Sequence, residues 1–299
     1  MIIKDFLVFM YTRCYDLYIT IVNDIIAAKH YPEIRPTQEA ITRINEEHCS
    51  MSRFGDGEFS LICGDNLKFQ PYDAYLAEEL RMILKFSDDT DGLLVCIPDI
   101  FKDTTQYIPR AEKYWNQYLH LKRSKVYALL RFDKIYYNTQ ITRFYIDYID
   151  KSKMSEKVQE LQSIWNNKKI LIVEGEKSRL GMGNDFFLNA TCINRIICPA
   201  VNAYAKIDEI EAAVLEESNF DLALIALGPT ATVLSYRLYK KGIQALDIGH
   251  IDIEYEWYKK GAQEKEPVAH KYIGEMNGGD IVDDAVDEIY QSQIIRRIV

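Results

Sequence analysis

Several familiar signatures are missing from this 299-residue chain. Its six cysteines, at positions 14, 49, 63, 96, 192 and 198, form no Cys-x-x-Cys pair, so neither a zinc knuckle nor a redox dithiol is expected. No secretory leader precedes them, and reduced thiols in a cytoplasmic protein are the expected state. Cys63, Cys96, Cys192 and Cys198 lie among apolar neighbours and read as small buried hydrophobes. The five histidines make no His-Glu-x-x-His pattern, which removes the commonest helical zinc site. Excess basic charge is also lacking. A formal charge of -9 argues against a nucleic-acid footprint, although a small anion could still be held locally or through a bridging cation.

No apolar run is long enough to span a bilayer. In residues 1–28, Lys4, Asp5, Arg13, Asp16 and Asp24 break the sequence well short of the ~20 apolar residues a span requires. Phe6, Phe9, Met10, Cys14, Leu17, Ile21, Ile25 and Ile26 nonetheless recur at helical spacing. The stripe implies a helical extension over residues 1–35. It leaves open a core contact, a homo-oligomer contact, or a peripheral contact at the inner face of the membrane.

What is present is an alternation. A helix is expected over 37–47, then a strand over 49–54, a helix over 72–86, a strand over 92–97, a helix over 110–121 and a strand over 125–130. Residues 136–167 read as largely helical. A second block follows with strands at 169–173, 193–198, 222–227 and 244–248 and helices at 207–217 and 231–241. Such repeats predict an α/β, Rossmann-like, mostly parallel sheet covered by helices on both faces. With no linker between the blocks, residues 36–299 are expected to form one domain. The tail beyond 254 is less regular, with its clearest turn at Gly278 and Gly279.

Four segments could carry chemistry, three of them just after strands. Arg53-Phe-Gly-Asp-Gly-Glu58 offers two carboxylates, Asp56 and Glu58, which would share one side of an extended backbone. Gly55 and Gly57 permit close ligand approach, and Arg53 could supply a planar fork to phosphates. A hard cation suits such a pair, because Mg²⁺ or Mn²⁺ completes its shell with water and phosphate oxygens. The alternative is a glycine turn that merely starts a helix. Residues 175–185 hold the parts of an anion cradle, with flexible glycines such as Gly175 and Gly183, backbone donors, Lys177, Ser178 and Arg179; the alternative is a long solvated turn. Gly228-Pro-Thr-Ala-Thr232 would start a helix whose cap is Thr230. Finally, residues 247–257 supply Asp247, His250 and Asp252 as candidate bases, with Tyr255 and Trp257 as flat surfaces for a sugar. Asp252 and Glu254 could instead be the solvent-facing half of a strand.

Taken in order, these segments resemble the GT-D family of bacterial glycosyltransferases, known from glucosylation of serine-rich adhesins. The resemblance runs from about residue 36 to 275. It implies a uridine diphosphate sugar donor such as UDP-glucose, a glycan or glycoprotein acceptor, and Mn²⁺ or Mg²⁺ held by Asp56 and Glu58 as an Asp-x-Glu metal motif. By the same resemblance, Arg53, Gly55, Gly175, Glu176, Ser178, Arg179, Gly183, Asn184, Gly228 and Thr230 would contact the donor. Asp247 and His250 would lie near the reacting sugar. Tyr255 and Trp257 would meet the acceptor. The competing expectation is a catalytically silent nucleotide-sugar-binding or scaffold protein.

Overall fold

A computed structural model describes residues 30–86, 92–274, 276, 279, 282 and 287–298, with residues 6, 9–11, 13, 14, 17, 18, 21 and 25 of the N-terminal stretch. Nine strands form one sheet, ordered β1-β4-β3-β2-β8-β7-β5-β6-β9, and every pairing is parallel. The inner strands are β2 (Ser50–Arg53), β3 (Leu93–Ile97), β4 (Ile135–Asn138), β5 (Lys169–Gly175), β6 (Cys192–Cys198), β7 (Leu222–Ala226) and β8 (Ala245–Asp247). Their apolar runs follow from the period of two. Ile170, Ile172, Leu222 and Leu224 enter one core, while Leu171, Val173, Ala223 and Ile225 enter another on the opposite face. A strand buried on both faces has no polar side, so these segments read as continuous hydrophobes.

The helices α1 (Thr37–Glu46), α5 (Met154–Ser163) and α8 (Ile251–Lys260) supply the first core. On the other face lie α3 (Ala74–Lys85), α4 (Pro109–Leu129), α6 (Ile207–Glu216) and α7 (Pro229–Tyr239). The short α2 (Asp56–Ile62) follows β2 directly.

Several expected elements change. No strand forms at 125–130; the helix begun at Pro109 continues to Leu129, because Trp115, Leu119, Arg123 and Val126 recur on its buried side at steps of three and four. The strand is instead β4 (Ile135–Asn138), at the start of the stretch expected to be helical. Only a 3-10 turn (Thr139–Thr142) and α5 are helical in the rest of it. The acidic stretch after Asp247 is helical, not a strand. Two edge strands were not anticipated: β1 (Glu33–Arg35), which brings the sheet upstream of residue 36, and β9 (Ile294–Arg297).

The C-terminal segment is anchored by α9 (Glu288–Ser292). Tyr290 Oη donates to Glu174 Oε1 at 3.0 Å, and Arg195 Nη1 donates to the same oxygen at 2.6 Å. Burial pushes the Glu174 carboxyl up, with Arg195 pulling against it. The anticipated turn at Gly278 lies outside the described residues. In the N-terminal stretch, Phe6, Phe9, Met10, Leu17, Ile21 and Ile25 are helical and exposed, so these members of the stripe are not core residues of the single chain. Cys63 and Cys192 are exposed, contrary to expectation, whereas Cys49, Cys96 and Cys198 are buried. Among the described residues no helix is long and apolar enough to cross a membrane.

Candidate active site

A parallel sheet delivers every strand's C-terminal end to one edge, and ligands bind open α/β sheets there. A cleft of about 650 Å³ opens along that edge. Its lining includes Arg53, Asp56 and Glu58 after β2, Gly175 and Ser178 after β5, Gly228 after β7, and Asp247, His250 and Asp252 after β8. Gly55 lines it as well. The four separated segments therefore share one cavity.

Asp56 and Glu58 do not sit on an extended backbone. Gly55 is the N-cap of α2, which starts at Asp56, so the two carboxylates leave the first helical turn in different directions. Glu58 folds back and its Oε2 accepts a hydrogen bond from Gly55 N at 2.7 Å, half of a capping box. Asp56 Oδ2 accepts a hydrogen bond from Tyr114 Oη, which reaches over from α4. Among the described residues no three His, Cys, Asp or Glu side chains converge as a ligand set. The pair fits a hard cation that takes one or two carboxylates and leaves its other positions to phosphate and water, and does not fit a closed structural site.

Burial, with the nearby Asp247 charge, pushes the Glu58 carboxyl from its ordinary 4.5 to about 7. In the metal-free protein the folded state thus holds a proton that the unfolded chain has already released, and stability falls as pH rises between those values. A cation bound at Glu58 would have to displace that proton. Were Mn²⁺ to bind there, its affinity would rise roughly tenfold per unit between pH 5 and 7 and then level off. Calorimetric titrations across that range check this, and a flat profile would contradict it.

Two of the three guanidinium nitrogens of Arg53, which lines the cleft, are committed to Asp247. Its Nε donates to the Asp247 carbonyl at 2.7 Å and its Nη2 to Asp247 Oδ1 at 2.8 Å. Thr232 Oγ1 lies 3.1 Å from Asp247 Oδ2 and 2.8 Å from the Arg53 carbonyl. Burial raises the Asp247 pKa, against the pull of Arg53 and Thr232. The pair depends on Gly249, whose φ of +45° favours glycine and whose Cβ, if present, would lie 2.1 Å from Arg53 Nη2. Gly249→Ala is expected to cost about 3 kcal/mol, from left-handed strain plus loss of the charged hydrogen bond, measurable by denaturant unfolding.

Asp252 is also committed. Its Oδ1 accepts from Gly181 N at 2.9 Å and Asn184 Nδ2 at 2.8 Å, and its Oδ2 receives Lys271 Nζ at 2.6 Å. Glu256 Oε1 takes the same two partners, Asn184 Nδ2 at 2.7 Å and Lys271 Nζ at 2.9 Å. Burial disfavours the Lys271 charge, yet the two carboxylates outweigh it and raise its pKa. This knot ties the loop after β5 to α8. Asn184 is thus a loop anchor that does not line the cleft, and so is Arg179, whose Nη1 donates to the His270 carbonyl at 2.9 Å. Gly183 lies off the cleft too.

Further expected contacts lie elsewhere. Glu176 faces a separate groove with Lys177 and Arg297. Thr230 is fully buried, with its hydroxyl 3.4 Å from Gln70 Oε1. Tyr255 and Trp257 offer no surface to a sugar. Tyr255 stacks on Phe186 at 4.3 Å and donates its hydroxyl to Asp185, while the buried Trp257 indole donates to the Glu266 carbonyl at 2.9 Å. Helical geometry turned both rings into the core.

Other parts of the cleft escaped the sequence reading. Leu67, Phe69 and Gln70 form one wall, held by Asn202 N donating to the Phe69 carbonyl and by Gln70 Nε2 donating to Asn202 Oδ1, each at 2.8 Å. Gly228, with φ +56°, admits this wall: a Cβ there would meet the Phe69 ring at 2.7 Å. Arg110, Tyr114 and Trp115 of α4 form another part, with Thr139, Gln140 and Asp147 beyond β4. The adjacent Tyr114-Trp115 pair was the available signal, because one of two neighbouring rings on a helix must turn away from the core.

Comparison with known proteins gives a consistent picture. A family profile described as glycosyltransferase GT-D fold matches residues 51–276. The chain is 39% identical over 267 residues to glycosyltransferase GlyD of Streptococcus pneumoniae, covering 89% of this chain and 33% of that protein. It is likewise 39% identical over 260 residues to the probable glycosyl transferase Gly of Streptococcus gordonii, covering 87% and 38%. The chain thus spans about a third of the length of these curated relatives. Among solved structures, one reported as the highly conserved domain of unknown function 1792, with a distinct glycosyltransferase fold, superposes with a TM-score of 0.85 at 40% identity, covering 90% of this chain and 96% of that one. Another, a new glycosyltransferase of the same domain class from Streptococcus sanguinis, gives 0.85 at 38%, covering 90% and 100%.

Proposed function

Because the chain belongs to the GT-D fold glycosyltransferase family, we propose that it transfers a hexose from a uridine diphosphate sugar, UDP-glucose being the first to test, to a hydroxyl of a glycan or glycoprotein. The observation that carries this reading is the convergence of Asp56 and Glu58 with the loops after β5 and β7 in one cleft. Asp56 and Glu58 would hold Mn²⁺ or Mg²⁺, which supplies charge neutralisation on the departing diphosphate. Gly175, Ser178 and Gly228 bring backbone close to the donor, and Lys177 adds positive charge beside them.

The chain's other residues set the cleft's shape. Arg53 holds Asp247, and Lys271 holds Asp252, so both carboxylates are engaged in fixed ion pairs. His250, at the N-cap of α8 and on the cleft, is the residue of the three assigned to accept the proton of the attacking hydroxyl. The two tied carboxylates act as positioning groups for the loops that meet the donor.

The test is release of uridine diphosphate from a panel of UDP-sugars with Mn²⁺, with Mg²⁺, or with a chelator. The reading expects metal-dependent turnover of at least one hexose donor. Turnover unaffected by chelation would sink the metal assignment. Tight UDP-sugar binding with no product from any glycan acceptor would favour the scaffold alternative.

A further inference from the structure

The acceptor must approach the reacting sugar from some part of this cleft, and the residues expected to receive it, Tyr255 and Trp257, are in the core. The two ends of the cleft differ in chemistry. At one end are glycine-bearing loops and the Phe69 wall, where backbone can come close to a ligand. The other end is built from side chains of α4 and of the segment after β4. We propose that this second end is the acceptor subsite, taking a sugar residue with Tyr114 as its stacking face and Asp147 as the acceptor of its hydroxyl hydrogen bonds. The inference rests on the glycosyl-transfer reading above.

Three observations support it. Tyr114 lines the cleft, is 47% exposed overall, and is held in place. Its edge packs against the buried Trp115 with centroids 5.1 Å apart, and its hydroxyl donates to Asp56. A fixed, half-open aromatic face is what an amphipathic pyranose ring can cover. That hydroxyl contact also sets the face beside the carboxylates assigned to the diphosphate, so a sugar resting on it would lie next to the anomeric carbon.

Asp147 is similarly fixed. Its carboxylate pairs with Arg110 at 3.2 Å and with Lys265 at 3.6 Å, and its carbonyl accepts from Ile108 N at 2.9 Å. It remains about one-fifth exposed, within reach of a ligand. A carboxylate between two cations gives a polyol both acceptors and donors, as vicinal hydroxyls require. The floor supplies the third observation. Thr139 and Gln140 line the cleft although each is only 6% exposed, and Thr139 Oγ1 has no hydrogen-bond partner among the described residues. Thr139 and Gln140 thus give this end of the cleft a polar floor, which suits a ligand bearing hydroxyls.

The experiment is steady-state kinetics on the full chain with the best UDP-sugar and a panel of methyl glycosides as acceptor probes, comparing Asp147→Ala, Tyr114→Ala and Tyr114→Phe. Calorimetry with UDP and Mn²⁺ shows whether each variant is folded and still binds donor. The proposal expects Asp147→Ala and Tyr114→Ala to raise the glycoside KM at least tenfold while the UDP affinity moves less than threefold. Tyr114→Phe, which keeps the ring but loses the hydroxyl contact that fixes it, should raise the glycoside KM several-fold less than Tyr114→Ala does. A rise confined to the donor KM would assign this end to the donor hexose and overturn the proposal, as would an unchanged glycoside KM in both alanine variants. A wild-type chain that turns over no UDP-sugar would overturn the underlying functional reading, a result distinct from either.

Discussion

Asp56→Ala and Glu58→Ala are each expected to lower glycosyl transfer by about 10³-fold, with little loss of fold for Asp56→Ala. The size follows from what the pair would do. Charge builds on the leaving diphosphate as the glycosidic bond breaks, and compensating developing charge is usually the largest catalytic contribution. The two variants should differ in stability. Asp56 is part-exposed and accepts from the Tyr114 hydroxyl, whereas Glu58 caps the Gly55 amide. Removing a capping group costs about 1 kcal/mol, so Glu58→Ala should unfold at lower denaturant concentration. Glu58→Gln retains a cap but not a charge, and should recover stability without recovering transfer. Rates and unfolding midpoints measured together separate the two roles.

The second large effect concerns Asp252. The Lys271 to Asp252 pair is nearly solvent-free, with side-chain exposures of 1% and 2%. Removing one partner of a buried pair costs about 3–5 kcal/mol, and because Glu256 at 2.9 Å still faces Lys271 the cost here is expected at the lower end, about 3 kcal/mol. Asp252→Ala should therefore unfold about 10 °C lower, at roughly 2–4 °C per kcal/mol for a chain near this size. It should also lose donor binding, because Gly181 and Asn184 lose their common anchor. Asp252→Asn is the informative variant. Its amide oxygen can still accept from Gly181 N, so turnover should stay within tenfold of wild type where the protein is folded. A general base contributes ~10²- to 10⁴-fold, and a loss of that size in well-folded Asp252→Asn would return Asp252 to the catalytic role.

Elements buried on both faces were legible because continuous apolar runs such as Leu93–Ile97 and Leu222–Ala226 have few other uses in a chain of alternating elements. Residues 125–130 misled for the same reason: Val126, Tyr127 and Leu130 suit a strand, but the helix begun at Pro109 runs on to Leu129 and takes Val126 into its buried stripe. The position of the site was legible too, since loops after parallel strands must share an edge. Individual roles were less so. That Arg53 is taken by Asp247, 194 residues away, depends on β2 and β8 being neighbours, which no local pattern encodes. Tyr255 and Trp257 looked available only while the segment could be read as extended. Once Ile251–Lys260 is helical and packed on the sheet, their rings fall inside.

The central claim is that this edge of the sheet holds a nucleotide sugar against Asp56 and Glu58. Titration of the wild-type chain and Asp56→Ala with UDP-glucose by calorimetry, with and without Mn²⁺, tests it most directly. The account predicts binding to the wild type that strengthens at least tenfold with Mn²⁺, and a loss of that Mn²⁺-dependent gain in Asp56→Ala. Equal affinity with and without the metal, or an undiminished Mn²⁺ response in Asp56→Ala, would contradict it.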